Sequence, residues 1–282
     1  MATVMKGIEV AKAMKESLIN EVNLLKAAGI NPNLTIIRVG ARPDDLAYER
    51  GALKRMELTG IGCKVVELPE DISQEEFERE FANVNHDPNV HGILLFRPLP
   101  KHLNEEPVKA MINPLKDVDC MCDVNIAKVF AGDQTGFAPC TAEAVVEMLK
   151  HFEVSVKGKR VTIVGRSMVV GKPLSMLMLG ENATVTVCHT KTENLAEECK
   201  RAEILVAAAG KAGMITEDMV SDGIVIADVG INVNEVGQLC GDVDYDSVFE
   251  KASMISPVPG GVGSITTSVL AKHVIRSAKY LN

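Results

Sequence analysis

Residues 161–173, VTIVGRSMVVGKP, carry the clearest chemical signal in the chain. A short apolar strand runs into Gly165, and Gly171 and Pro173 stand where a helix begins. Free backbone N–H groups and the dipole of a helix N-terminus face any anion bound at such a turn, so the pattern predicts a phosphate-binding site. The spacing differs from GxGxxG, and an ordinary strand-to-helix turn is the alternative interpretation.

The end of the following strand bears on the identity of the cofactor. A dinucleotide-binding unit usually holds the ribose 2′-hydroxyl with an acidic residue at the end of its second strand. Here that strand, 184–188, is followed by His189 and carries no acid, while Arg166 and Ser167 occupy the glycine turn. An arginine can pair with a 2′-phosphate that a carboxylate would repel. The sequence therefore predicts NADP, with NAD as the alternative cofactor and an unliganded surface arginine as the alternative for Arg166.

Two more glycine-containing loops follow later strands, AAAGK at 207–211 and DVGIN at 228–232. Each is compatible with a plain turn, but both fall at the carboxyl ends of strands, where such folds bind ligands. The predicted cofactor-binding residues are Gly165, Arg166, Ser167, Gly171, Pro173, His189, Thr190, Gly210, Gly230 and Ile231.

The elements that must position these turns alternate between helical and strand periodicity, which is typical of an α/β protein. In the first half, the pattern predicts helices over 7–28 and 44–59 and a third helix from Ser73, where Glu76 completes a capping box. It predicts strands over 33–39, 63–68 and 90–96. Residues 113–140 are predicted to be an irregular domain junction. The second half predicts strands at 161–165, 184–188, 203–208, 224–229 and about 253–256, with helices near 172–180 and 193–202. This pattern predicts an N-terminal αβα domain over 1–140 and a Rossmann-type dinucleotide-binding domain over 141–264, with the last helix, 265–282, packing back on the first domain.

Composition limits the classes of function. The chain has 282 residues and a net charge of −8, with no basic run, which argues against a nucleic-acid partner. No segment is apolar for long enough to span a membrane, and the N-terminus does not resemble a signal peptide. Seven cysteines without a CxxC pair predict reduced thiols in the cytoplasm, and the CxC of Cys120 and Cys122 is too weak a signal to predict a metal.

Taken together, the motifs resemble the methylenetetrahydrofolate dehydrogenase/cyclohydrolase family. They are VGRSxxVGxP at 164–173, KDVD at 116–119, GFxPCT at 136–141, DVGIN at 228–232 and PVPGGVG at 257–263, in the family's order along the whole chain. The resemblance implies two α/β domains with a folate cleft between them, usually in a homodimer. It also implies oxidation of 5,10-methylenetetrahydrofolate with NAD(P), followed by hydrolysis of the methenyl product to 10-formyltetrahydrofolate.

The resemblance also implies site residues. Tyr48 matches the tyrosine that stacks on the folate ring system, and Asp119 matches the aspartate that holds the pterin or its neighbouring amide; these two are the predicted catalytic residues. The predicted substrate-binding residues are Tyr48, Pro98, Leu99, Asp119, Pro259, Gly260 and Gly261. Core packing of Tyr48, and a structural turn at 257–263, are the alternatives drawn from the residues alone.

Two departures from the family pattern concern the hydrolytic step. Ala52 stands where the family has its catalytic lysine, and Phe96 stands where it has the glutamine of QLPLP. Hydride removal needs only correct placement of substrate and cofactor, whereas ring opening by water needs positioned proton-handling groups. We therefore predict an active NADP-dependent dehydrogenase with weak or absent cyclohydrolase activity.

Three alternatives remain open. The chain is a fully bifunctional enzyme if Arg97, Lys54 or Asp45 supplies the missing group. It is a different dehydrogenase, of the shikimate or amino-acid type, if a Lys–Asp pair lies in the cleft, although Ala52 speaks against this. It is a catalytically silent folate- or nucleotide-binding regulator if the cofactor turn serves binding alone.

Overall fold

The structure is a computed structural model that describes residues 2–282. The chain forms two compact units: one holds the residues up to Lys12 together with Thr141–Thr266, and the other holds Ala13–Cys140 together with Thr267–Asn282. The compact units therefore differ from the predicted boundary of 1–140, because the first residues of the chain group with the later unit.

The 13–140 unit contains a parallel three-stranded sheet in the order β3-β2-β4. Its strands are β2 (Asn33–Val39), β3 (Gly62–Leu68) and β4 (Gly92–Leu95), and its helices are α1 (Gly7–Ala27, which begins in the other unit), α2 (Pro43–Thr59), α3 (Gln74–His86), α4 (Glu106–Met111), α5 (Asp123–Ala131) and α10 (Thr266–Leu281). The central strand β2 is buried on both faces after its first residue, as a parallel strand covered by helices must be. Phe77 and Phe81 of α3 fill the core on one side, and α3 starts with the predicted capping box of Ser73 and Glu76.

The other unit contains a six-stranded parallel sheet in the order β1-β11-β8-β7-β5-β6. Its strands are β1 (Thr3–Val4), β5 (Arg160–Val164), β6 (Thr184–Cys188), β7 (Ile204–Ala207), β8 (Ile224–Asp228) and β11 (Ala252–Ile255); its helices are α6 (Cys140–His151), α7 (Gly171–Gly180), α8 (Leu195–Lys200) and α9 (Tyr245–Val248); and a small antiparallel pair joins β9 (Asn232–Val233) to β10 (Leu239–Cys240). The chain runs outward from β5 to β6 and then crosses back to β7 on the other side of β5. This reversal of strand order creates a crevice at the carboxyl ends of β5 and β7, which is where open α/β sheets bind their ligands.

The predicted two-domain α/β class is confirmed, with two local corrections. The segment 113–140 is not wholly irregular, because α5 lies within it and ends at Gly132 in a left-handed conformation. The Rossmann sheet has a sixth strand, β1, whose two residues pair with β11 and are too few to give a sequence pattern.

Candidate functional site

The turn between β5 and α7 is built around two glycines whose hydrogen atoms face neighbouring backbone. A side chain at Gly165 would overlap the carbonyl oxygen of Ala208, and one at Gly171 would overlap the carbonyl oxygen of Gly165. Gly165 also has a φ of +138°, which L-residues with a side chain rarely adopt. The absence of a Cβ at Gly165 therefore lets the loops after β5 and β7 meet at the strand-order reversal, and its absence at Gly171 lets the start of α7 close on Gly165.

The polar groups of this turn fit a phosphorylated dinucleotide. The hydroxyl of Ser167 accepts the N–H of Val170 at 3.1 Å and shapes the turn ahead of α7. Arg166 is exposed, and within residues 2–282 its side chain forms no ion pair, so its guanidinium is available to an anion. Pro173 occupies the first turn of α7, where its missing N–H costs nothing.

No acid stands at the end of β6 to repel a 2′-phosphate. Cys188 ends the strand, and the next residue, His189, is held in the following turn: its N–H donates to the hydroxyl of Thr192, and its Nδ1 accepts the N–H of Lys191 at 3.1 Å. Thr190 is exposed in the same turn. These residues and Arg166 present donors and positive charge rather than carboxylates, and that donor set suits NADP.

Gly210, Gly230 and Ile231 lie in the loops after β7 and β8, beside the same crevice of the sheet. Two buried carboxylates that sequence reasoning missed, Asp228 and Asp242, accept backbone N–H groups of these loops. The repeated small and acidic residues at strand ends were the only sequence signal for them.

The loop at 257–263 belongs to the same unit and rests on the beginning of α1. The N–H of Gly7 donates to the carbonyl of Gly260 at 2.9 Å, and a Cβ at Gly7 would overlap the carbonyl of Gly261. Pro259 and Gly260 are exposed at the tip of this loop, whereas Gly261 is buried. Glycine is required at position 7 because of this contact with residues some 250 positions later in the chain, and the sequence around Gly7 does not predict it.

In the other unit, the predicted folate residues gather around α2 and the loop after β4. The half-buried ring of Tyr48 meets Phe96 edge-on, with ring centroids 5.9 Å apart. Ala52 lies one helical turn after Tyr48 and is fully buried. The guanidinium of Arg42 donates to the carbonyl of Pro98 at 3.1 Å, which ties the loop carrying Pro98 and Leu99 to the start of α2.

Asp119 lies in the same unit and is held by Cys140, which also belongs to that unit. Its Oδ1 accepts the N–H of Cys140 at 2.8 Å. Burial raises the pKa of Asp119, and the bond from Cys140 and the positive charge of Arg97 oppose that shift. Arg97, one residue after Phe96, is therefore close enough to Asp119 for its positive charge to lower the pKa of that carboxyl group. The structure thus brings Arg97 and Asp119 together.

The other two charged residues of KDVD, Lys116 and Asp117, stabilise the surrounding backbone. The ammonium of Lys116 donates to the carbonyls of Asn85 and Asp87 at 2.8 and 2.7 Å, at the end of α3. Asp117 accepts the N–H groups of Met121 and Cys122 at 2.8 and 2.9 Å, and thereby caps the loop before α5. Of the carboxylates in this motif, Asp119 is the candidate for substrate contact.

The described part of the chain shows neither a metal cluster nor a membrane-spanning helix. Between residues 2 and 282, no three His, Cys, Asp or Glu side chains lie close enough together to hold a metal ion. Cys120 and Cys122 are both buried, and burial raises the pKa of each thiol, so neither is poised as a thiolate ligand. Over the same residues, no helix is both long and apolar enough to cross a bilayer.

Comparison with known proteins assigns both halves of the chain. The family model "Tetrahydrofolate dehydrogenase/cyclohydrolase, catalytic domain" matches residues 5–119, and the model of the same family's NAD(P)-binding domain matches residues 139–282. The "Bifunctional protein FolD" of Clostridioides difficile is 60% identical over 279 residues, covering 99% of this chain and 97% of that protein.

Solved structures agree. The bifunctional FolD methylenetetrahydrofolate dehydrogenase/cyclohydrolase of Campylobacter jejuni superposes with a TM-score of 0.96 at 38% identity, covering 99% of each chain. The FolD of Trypanosoma brucei, solved with NADP cofactor and an inhibitor, superposes with a TM-score of 0.93 at 36% identity, covering 99% of this chain and 98% of that one. The chain belongs to the tetrahydrofolate dehydrogenase/cyclohydrolase family.

Proposed function

We propose that this chain oxidises 5,10-methylenetetrahydrofolate to the 5,10-methenyl form with NADP. The observation that carries the proposal is the turn at the strand-order reversal, where Gly165 and Gly171 let the backbone pack closely ahead of the N-terminus of α7 and where the exposed Arg166 is available to a 2′-phosphate. NADP, when bound, accepts a hydride from the one-carbon unit. Everything else that the oxidation needs is placement of the two ligands by side chains of this chain.

The folate-side residues supply that placement in this proposal. The Tyr48 ring, braced edge-on by Phe96, offers an aromatic face to the pterin system, and Asp119 offers a carboxyl group for its amide and amino groups. The two nitrogens that flank the one-carbon unit stabilise the cation that forms as hydride leaves. No side chain has to take up or release a proton at this step.

Hydrolysis of the methenyl product makes different demands. Water must add to the cationic carbon and lose a proton, and the ring must then open as a nitrogen gains one. The Ala52 methyl group and the Phe96 ring can do neither. These two side chains support our main prediction, a dehydrogenase with weak cyclohydrolase activity.

The relatives are named as bifunctional enzymes, which favours the alternative, a fully bifunctional enzyme, over that prediction. The geometry of α2 provides one route to it. Asp45 lies on the same helical face as Tyr48 and Ala52, three and seven residues before them, and burial raises the pKa of its carboxyl. A raised pKa is what a carboxylate needs to exchange protons near neutral pH. Lys54 is exposed and off this face, so it does not fit the role.

A spectroscopic assay decides between the two candidates. Wild-type protein receives methylenetetrahydrofolate and NADP, and absorbance follows both NADPH and the methenyl product. If hydrolysis is lost, the methenyl form accumulates and decays at its spontaneous rate. If the enzyme is bifunctional through Asp45, decay depends on protein concentration, falls to the spontaneous rate in Asp45→Asn and stays unchanged in the matched control Lys54→Ala.

Absence of any NADP reduction by wild-type protein would instead support the silent regulator. The homodimer and the cytoplasmic location remain predictions from the resemblance and the composition. Sedimentation of the purified chain tests the first, and fractionation of the source cells tests the second.

A further inference from the structure

Asp242 is a fully buried carboxylate whose two oxygens are both engaged. Its Oδ2 accepts the N–H groups of Ala209 and Gly210 at 2.5 and 2.9 Å. Its Oδ1 accepts the N–H of Lys211 and the side-chain amide of Asn232, each at 2.8 Å. The three backbone donors lie in the loop at the carboxyl end of β7, and Asn232 begins β9, directly after the loop that follows β8.

These two loops are the ones that carry the proposed cofactor residues Gly210, Gly230 and Ile231. The loop after β7 donates to Asp242 through consecutive backbone N–H groups, and the loop after β8 donates through Asn232. A Cβ at Gly230 would overlap the carboxyl group of Asp242, so the second loop also rests directly on it. A single carboxylate thus fixes the spacing of two loops that no strand pairing joins.

A second buried carboxyl group, that of Asp228, holds the backbone at Asp242. It accepts the N–H groups of Gly230 at 2.9 Å, Asp242 at 3.1 Å and Val243 at 3.0 Å. Between residues 2 and 282, neither carboxyl group forms an ion pair with Lys or Arg, and the oxygens of Asp242 accept only from backbone N–H groups and the side-chain amide of Asn232. Burying a carboxylate without a cation is costly, and converging N–H groups are the means by which a protein offsets that cost.

We propose that Asp242 is a positioning residue for the nicotinamide cofactor: it holds the loops at 208–211 and 230–232 in the arrangement that admits NADP. The proposal rests on the function proposed above. A carboxylate suits this place because it accepts from donors on two sides at once, whereas an amide would turn an N–H₂ group toward one of the donor pairs.

The test is NADP binding to the whole folate-free protein, measured by titration calorimetry, together with hydrogen exchange of the amides at 209–211. Asp242→Asn should raise the dissociation constant for NADP at least about 10-fold and speed exchange of these amides, because one oxygen's donors lose their acceptor. The KM for methylenetetrahydrofolate should change less than twofold. Asp246→Asn, an exposed acid in α9, is the matched control and should leave both binding and exchange unchanged.

A reversed pair separates positioning from general destabilisation. In Asn232→Asp/Asp242→Asn, the new amide at 242 can donate to the new carboxylate at 232 while its oxygen still accepts from Ala209 and Gly210. Only the N–H of Lys211 loses its partner, so NADP binding should recover part of the loss seen in Asp242→Asn. Asn232→Ala, which removes only the bond between the loops, decides the matter if Asp242→Asn does not fold: it should weaken NADP binding about threefold or more.

NADP affinity within twofold of wild type in folded Asp242→Asn, or a reversed pair no tighter than the single variant, would overturn this inference and leave the proposed dehydrogenase standing. In the case where Asp242→Asn does not fold, unchanged affinity in Asn232→Ala would overturn it equally. Failure of the wild-type protein itself to bind NADP would overturn the proposed function and the inference with it.

Discussion

Replacing Ala52 by Lys and Phe96 by Gln restores the two side chains that the family pattern places in the hydrolytic step. Position 52 lies one helical turn from Tyr48 on a buried face of α2, so the introduced amine would lie near the proposed pterin site. Positioned acid–base groups contribute about 10²- to 10⁴-fold to such steps. We therefore expect enzyme-dependent hydrolysis of the methenyl product to rise by about 100-fold or more, with little change in the rate of NADP reduction.

The same burial sets the cost in stability. For the amine to exchange protons near neutral pH, its pKa must fall from about 10.4 to about 7, which corresponds to about 4 to 5 kcal/mol of unfolding free energy at pH 7. Because the pKa in the folded state lies below that in the unfolded state, the unfolded chain binds more protons between these values. The loss of stability should therefore shrink as the pH rises from about 7 to about 10.

The assay follows the decay of methenyltetrahydrofolate with increasing protein, and denaturant unfolding at several pH values gives the stability. Ala47→Lys is the control, since it places an amine on an exposed position of the same helix. Protein-independent decay by a folded double variant that still reduces NADP would refute the reasoning that a missing proton-handling pair limits hydrolysis. So would fast hydrolysis by wild-type protein that neither substitution accelerates.

Three further outcomes follow from contacts in the structure. Arg166→Ala should weaken NADP binding about 10- to 100-fold and leave NAD binding nearly unchanged, because only NADP carries the 2′-phosphate. If titrations with the two cofactors show the same affinity change, Arg166 is a plain surface residue. Asp117→Ala should lower the unfolding free energy by about 2 to 3 kcal/mol in urea, since the N–H groups of Met121 and Cys122 lose their acceptor, and a change below about 0.5 kcal/mol would contradict the capping role. Burial raises the pKa of Asp228 to about 6. The folded state thus binds the extra proton, and stability relative to Asp228→Asn should fall by about 2 kcal/mol as the pH rises from about 4 to 6, whereas parallel pH profiles of the two proteins would argue against the shift.

The fold was largely predictable because most helices and strands have sequence signals within their own residues. Strand β2 carries an unbroken buried run, α3 carries its own capping box, and the strands around 161–164 and 184–188 have short apolar cores bounded by turn residues. What escaped prediction depends on distant partners. Strand β1 exists only because β11 lies beside it, and α5 follows a loop that Asp117 organises from outside the helix.

The candidate site divides in the same way. The glycine turn at 165–171 was visible because a strand, a glycine and a helix start follow one another within a few residues. Asp242 was not predicted because its three backbone donors lie more than thirty residues earlier in the chain, on the loop after β7. A carboxylate that serves backbone N–H groups looks, in a sequence, like any acid in a surface loop.

The grouping of the chain ends has a consequence for how this protein is made and divided. The first residues of the chain complete the nucleotide-binding sheet, while the last helix completes the opposite unit. Each unit therefore contains one end of the chain that is separated in sequence from the rest of that unit. A cut at a single point near Cys140 therefore yields two fragments that each lack a part of their own core. During synthesis, the nucleotide-binding unit has all of its residues once Thr266 has been made, whereas the opposite unit, most of which is made earlier, is complete only after the last helix.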